Sequence, residues 1–254
     1  LLDRFSAETG IKANVLYAGD GLLERVAAEG ELSPADVVLT VDIGNLVGAE
    51  EQGLTQPITT PELDARVPSE FRDNDDNWTA LSLRARVFYV SKERVDATAL
   101  SYEDIAKPEW KGRLCTRSGD HAYNIGNTYY MGAMLNNDAE PEQKQWAASA
   151  RIVYPDAEGA GTQVNVAGGF IAKHAPNPDN ANALIAFLLS DEAQSIYADT
   201  NYEFPVVPSV APSELTQSWG KLNAAKTPLV DIAAHRAEAA ALVDELKFNE
   251  GAQN

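Results

Sequence analysis

A single cysteine, Cys115, in 254 residues excludes an intrachain disulfide and any thiolate metal cluster. Basic residues are scarce beside acidic ones: 20 Lys and Arg stand against 38 Asp and Glu, for a formal net charge of -18. So acidic a chain is repelled by nucleic-acid phosphates and anionic lipid, and neither is an expected partner. Long apolar runs are missing too. The longest, Ala183 to Leu189, falls far short of the roughly 18 residues that a membrane span requires. What remains, 44% hydrophobic and 23% charged residues, is ordinary globular composition, which excludes a disordered or coiled-coil chain and leaves room for one or two domains. The chain opens on Leu1 rather than Met, and Leu1-Leu2-Asp3-Arg4-Phe5 reads as the middle of a helix. An upstream segment, a signal peptide being one candidate, is therefore expected to have been removed.

Apolar spacing predicts a helix from Leu1 to Thr9 closed by Gly10, a strand from Ile11 to Tyr17, and a second helix from Asp20 to Gly30. Val37 to Thr40 reads as a strand buried on both faces. This alternation predicts an α/β fold around a parallel sheet, with ligand sites beyond the carboxyl ends of its strands. Trp78 to Val90 and Thr162 to Lys173 are long enough to cross from one domain to another, and two crossing strands make a hinge. Gly112 to Thr116 reads as a further strand with Cys115 buried in it, and Asp179 to Thr200 as one helix. Tyr202 to Pro208 is kept extended by its prolines, and Ala224 to Leu246 reads as helical with an interruption near Pro228.

Three phenols fall within eight residues in Tyr123-Asn124-Ile125-Gly126-Asn127-Thr128-Tyr129-Tyr130. Such tyrosines can be half-buried packing groups with wet hydroxyls. They can equally ligate a hard metal: a free phenol has a pKa of about 10, and a strongly Lewis-acidic ion such as Fe(III) displaces its proton at neutral pH. Just upstream, Arg117-Ser118-Gly119-Asp120-His121 fits either an ordinary helix cap or an anion nest, in which Ser118 and Gly119 supply donors and Arg84 or Arg86 a charged partner. A hydrolase built on Ser118 and His121 is disfavoured, since the serine has no nucleophile elbow and the histidine lies three residues along the same turn. Asp42 sits at the carboxyl end of the Val37 to Thr40 strand, where ligand sites gather. His174 and His235 read as surface or cap residues, and the acidic pairs Glu50-Glu51 and Asp75-Asp76 as solvated loops.

Taken together, these segments resemble the periplasmic ferric-iron-binding proteins, the bacterial transferrin-like solute receptors of iron ABC transporters. The resemblance runs through Phe5 to Ile11, Ser33 to Val38, Thr40 to Leu46, Arg84 to Val87, Pro108 to Gly112, the Tyr129-Tyr130 block, Lys173 to Asn177, Ser190 to Gln194 and Tyr202 to Val206. It implies a non-enzymatic α/β receptor with a two-lobe periplasmic-binding-protein fold and two crossing hinge strands. One lobe would comprise residues 1–84 plus 164–210 and the other 85–163 plus 211–254. The resemblance also implies Fe(III) held by Tyr123, Tyr129 and Tyr130, and carbonate or phosphate as a synergistic anion at Ser118, Gly119, Arg84 and Arg86. Asp42 and Asn127 stand as candidate partners of the ligands. The implied partner is a membrane permease, the location periplasmic or otherwise extracytoplasmic, and the receptor a monomer.

A receptor of the same fold for phosphate, a phosphonate or a polyamine is the alternative, with the tyrosines as stacking walls. Two departures from the resemblance stand out: an opening strand is absent, and a block of several dozen residues is missing near Asn124 and Ile125. Only eight residues separate the expected strand at Gly112 to Thr116 from Ile125, too few for a helix to cover the sheet. Asn124 and Ile125 are therefore expected not to be true neighbours, and a Cα separation well above about 3.8 Å would mark the break.

Overall fold

A computed structural model describes residues 1–19, 21–116, 128–135 and 139–250. The chain opens with helices α1 (Leu2–Thr9) and α2 (Leu22–Glu29), then strand β1 (Val37–Thr40), α3 (Ile43–Glu51), the short β2 (Thr55–Gln56) and α4 (Pro61–Arg66). Strands β3 (Thr79–Ala85) and β4 (Phe88–Ser91) follow, and then α5 (Thr128–Leu135), α6 (Pro141–Ser149), β5 (Ala150–Val153) and β6 (Val164–Ala172). The remainder is α7 (Pro178–Leu188), α8 (Asp191–Asn201), β7 (Phe204–Pro205), α9 (Glu214–Ser218), α10 (Leu229–Ala234) and α11 (Arg236–Glu245).

The larger sheet runs β1-β6-β3-β7, with β2 also on β6; β4 and β5 form a second, two-stranded sheet. Every ladder among the described residues is antiparallel, which corrects the expected parallel sheet. The reason is topological: in the larger sheet β6 returns from far along the chain and enters between β1 and β3, running opposite to both, and no two strands consecutive in the chain pair there. Gly168 on β6 allows the close approach. A Cβ there would lie 2.5 Å from the Thr79 carbonyl oxygen and 2.6 Å from Leu46 Cδ1. Trp78, Leu46, Phe170, Ile171, Ile185 and Leu188 close the core around this sheet, and burying each of these aliphatic or Phe side chains is worth roughly 1.5–3 kcal/mol.

Other expectations are revised. Ile11 to Tyr17 forms no strand, and Val15, Leu16 and Tyr17 are exposed; its alternation suits a strand, but no ladder takes up its backbone groups. Leu39 leaves β1 open on one face, so that strand is not buried on both. Helix α2 begins at Leu22 after Gly21, while Asp20 lies outside the described residues. The long helix expected over 179–200 is two helices, because the Ser190 side chain caps α8 by accepting the Ala193 N–H. Gly112 to Thr116 is exposed turn and coil, and Cys115 is exposed. Glu50 lies in α3 rather than in a loop and accepts the indole N–H of buried Trp78 at 3.0 Å.

Candidate functional site

Where β1 ends, Asp42 begins α3. One carboxylate oxygen accepts the Gly44 N–H at 2.7 Å, an N-cap bond, and the other accepts Asn165 Nδ2 at 2.7 Å. Asn165 Oδ1 in turn accepts the N–H groups of Ile43 (3.2 Å) and Val166 (2.8 Å). Asp42 thus stands at the expected strand end with both oxygens committed to the turn and to β6. Asn165 was not singled out in the sequence; its one signal is a polar residue inside an otherwise apolar strand.

Arg84 lies on β3 and is 4% exposed. Its Nη2 donates to the carbonyl of Val41 and, at 3.0 Å, to that of Val166, and its Nη1 is 3.6 Å from Glu203 Oε1. The other oxygen of Glu203 accepts the Ser82 hydroxyl. Burial pushes the Glu203 carboxyl above its ordinary range, while the Ser82 hydrogen bond and the Arg84 charge pull it back. The ends of β1, β3, β6 and β7 therefore meet in one buried polar knot. Neither Ser82 nor Glu203 was named as a site residue; a serine within Ala80-Leu81-Ser82-Leu83 and an acid inside Tyr202-Glu203-Phe204-Pro205 were the available signals.

Arg86 follows β3 and is half-buried. Its backbone N–H donates to the Gln163 carbonyl at 2.8 Å, joining the two crossing segments. Tyr102 reinforces the joint: its hydroxyl donates to the Arg86 carbonyl at 2.6 Å and accepts the Gln163 N–H at 3.1 Å. Burial pushes this phenol up to about 12, so it stays protonated and keeps donating. Tyr102→Phe is expected to cost about 1–3 kcal/mol by removing both bonds, read as a lower urea midpoint at unchanged slope.

Helix α5 carries Thr128, Tyr129 and Tyr130 in its first turn and packs against α8, α9 and β3. The backbone of the two tyrosines is helical; their side chains lie outside what the structure describes. Ser118, Gly119, His121, Tyr123 and Asn127 also lie outside the described residues, as does the Asn124 to Ile125 junction. The structure thus brings Arg84, Arg86 and Asp42 to one end of the larger sheet and places the tyrosine-bearing helix against the strand that holds Arg84. Among the described residues no group of three or more His, Cys, Asp or Glu side chains could hold a metal ion. His174 is exposed, and exposed His235 sits between α10 and α11, 3.1 Å from Glu238.

Comparison with known proteins places the chain among solute-binding proteins. A profile described as bacterial extracellular solute-binding protein matches residues 1–195. Iron uptake protein A1 of Synechocystis sp. is 35% identical over 297 aligned positions, which take in 96% of this chain and 82% of that protein. Because 297 positions exceed 254 residues by 43, at least that many positions inside the matched span have no counterpart in this chain. A Bordetella ferric binding protein superposes with a TM-score of 0.91 at 37% identity, covering 97% of this chain and 94% of that one. A Trichodesmium protein solved in complex with iron and citrate ligands superposes with a TM-score of 0.92 at 30% identity, covering 96% and 93%. Among the described residues no helix is long and apolar enough to cross a membrane.

Proposed function

Because the chain belongs to the bacterial extracellular solute-binding protein family, we propose that it is an extracytoplasmic, monomeric receptor that binds Fe(III) and delivers it to the membrane permease of an ABC transporter, without catalysing a reaction. The observation that carries this reading is the tandem Tyr129-Tyr130 in the first turn of α5, packed against the strand that holds Arg84. Relatives named for iron uptake and ferric binding support the same cargo.

Ferric iron is small and highly charged, and it favours anionic oxygen donors. Tyr129, Tyr130 and Tyr123 would supply three phenolates, which balance the 3+ charge. An added carbonate or phosphate brings further negative charge, which Ser118, Gly119 and the arginines would meet with N–H donors and positive charge. Arg84, which already donates to two carbonyls and faces Glu203, and Arg86, which follows the end of β3, are the two candidates for that charge. Asp42 and Asn127 would support the ligands rather than bind the metal; both Asp42 oxygens already accept hydrogen bonds. The lobes, residues 1–84 plus 164–210 and 85–163 plus 211–254, would close about the joint that Arg86, Gln163 and Tyr102 make.

Titration of chelated ferric iron into the apo-protein, followed in the visible spectrum, tests the proposal. A phenolate-to-iron charge-transfer band should grow to one equivalent and bleach as pH falls, because protons compete for the phenolates. Omitting carbonate and phosphate should weaken uptake. A protein that stays colourless after ferric loading points instead to a receptor of this fold for another anion or small molecule.

A further inference from the structure

Four residues other than glycine adopt a positive φ among those described: Asp76, Asp156, Tyr202 and Lys247. Tyr202 is the aromatic one, with φ 56° and ψ 28°, and it ends α8 by donating its N–H to the Ala198 carbonyl. That left-handed cap suits glycine or asparagine, whereas a bulky side chain there is strained against its own backbone. Strain of this kind persists where the side chain is needed.

The need is visible on α5. A Cβ at Gly132 would run into the Tyr202 ring at Cδ2 and Cγ and would come within 2.7 Å of Tyr202 Cβ. The ring therefore lies flush on the helix backbone two and three residues past the tandem tyrosines, at a spot only glycine leaves open. The next residue, Glu203, accepts from Ser82 and faces Arg84 on β3. Gln194 holds the segment from behind: its Nε2 donates to the Leu81 and Leu188 carbonyls, and its Oε1 accepts the Val206 N–H at 2.9 Å. Two consecutive residues thus touch both halves of the candidate site, the helix that carries Tyr129 and Tyr130 and the strand that carries Arg84.

We infer that Tyr202 is a positioning residue for metal capture: its ring, seated on Gly132, sets the position of α5 relative to β3 and so fixes where the tandem tyrosines present their phenols. The inference rests on the ferric reading above. It touches no metal itself and acts through the helix.

Tyr202→Gly removes the ring while relaxing the backbone, so loss of folding is not the expected consequence. The variant should bind ferric iron about tenfold more weakly, with a shifted charge-transfer band, as displacement of ligating groups requires. In the apo-protein its α5 amides should exchange faster while those of β3 and β6 do not. Tyr202→Phe, which keeps the ring, should match wild type. Gly132→Ala should weaken binding like Tyr202→Gly, and combining Gly132→Ala with Tyr202→Gly should cost no more than either alone, because the new methyl then has room. Unchanged affinity and spectrum in Tyr202→Gly, in a wild-type protein that does take up iron, overturns the positioning role alone. A wild type that takes up no iron overturns the functional reading as well, so the two failures are distinguishable.

Discussion

Ferric loading of the Tyr129→Phe/Tyr130→Phe double variant is expected to give a colourless protein whose affinity for iron is lower by more than about 100-fold. Even an outer partner of a metal ligand can cost that much, and here two ligands would be lost. Phenylalanine preserves the ring and the helix, so circular dichroism and the thermal midpoint should stay close to wild type. Tyr17→Phe serves as the control: Tyr17 is 87% exposed on a segment without strand partners, and its replacement should leave colour and affinity unchanged. If the double variant retains the band, the phenols of α5 are not ligands and the proposed cargo loses its chemical basis.

The second large effect concerns stability. Arg84→Leu leaves the Glu203 carboxyl buried without its cation and removes a donor from the Val41 and Val166 carbonyls. A loss of about 3–5 kcal/mol is expected, the usual consequence of breaking one half of a buried pair. The pH dependence identifies the cause. The carboxyl of Glu203 is already raised above its value of 4.5 in the unfolded chain, so the folded state holds this proton more tightly. Its contribution to stability is therefore full below about pH 4.5 and is lost as pH rises through the folded pKa. Removing Arg84 raises that pKa further, so the gap in thermal midpoint between variant and wild type should widen as pH increases. Glu203→Gln should abolish the fall contributed by this group. A gap independent of pH would assign the loss to the two carbonyls alone.

Much of the fold is legible in the sequence because its signals are local. Gly10 closes α1 with a φ of 72°, and the apolar run at Val164 to Ala172 becomes the central strand. The two crossing segments are found where the long strand-like stretches predict them, although the first is broken into β3 and β4 around Arg86. Strand direction is not legible in the sequence because it depends on which strands meet, and β6 meets partners far from it in the chain. Ile11 to Tyr17 shows the same limit from the other side: alternation prescribes a strand, but pairing decides it. The tyrosine block and Arg84 are conspicuous in a linear reading. The polar knot around Glu203, Ser82 and Asn165, and the seat of Tyr202 on Gly132, are not, because each joins residues whose separation hides the contact.

The placement of β6 also governs the order in which this molecule can assemble. Hydrogen bonds tie Asn165 to Ile43 and Asp42 across 122 and 123 residues, and Arg84 to Val166 across 82. Until Val164 to Ala172 is available, β1, β2 and β3 have no strand between them, and closing loops of this length must precede any reward from pairing. A chain emerging from its amino end therefore remains without its principal sheet for most of its length, then gains it as one late strand slots in. Formation of the principal sheet is thus postponed by topology until Val164 to Ala172 has been made.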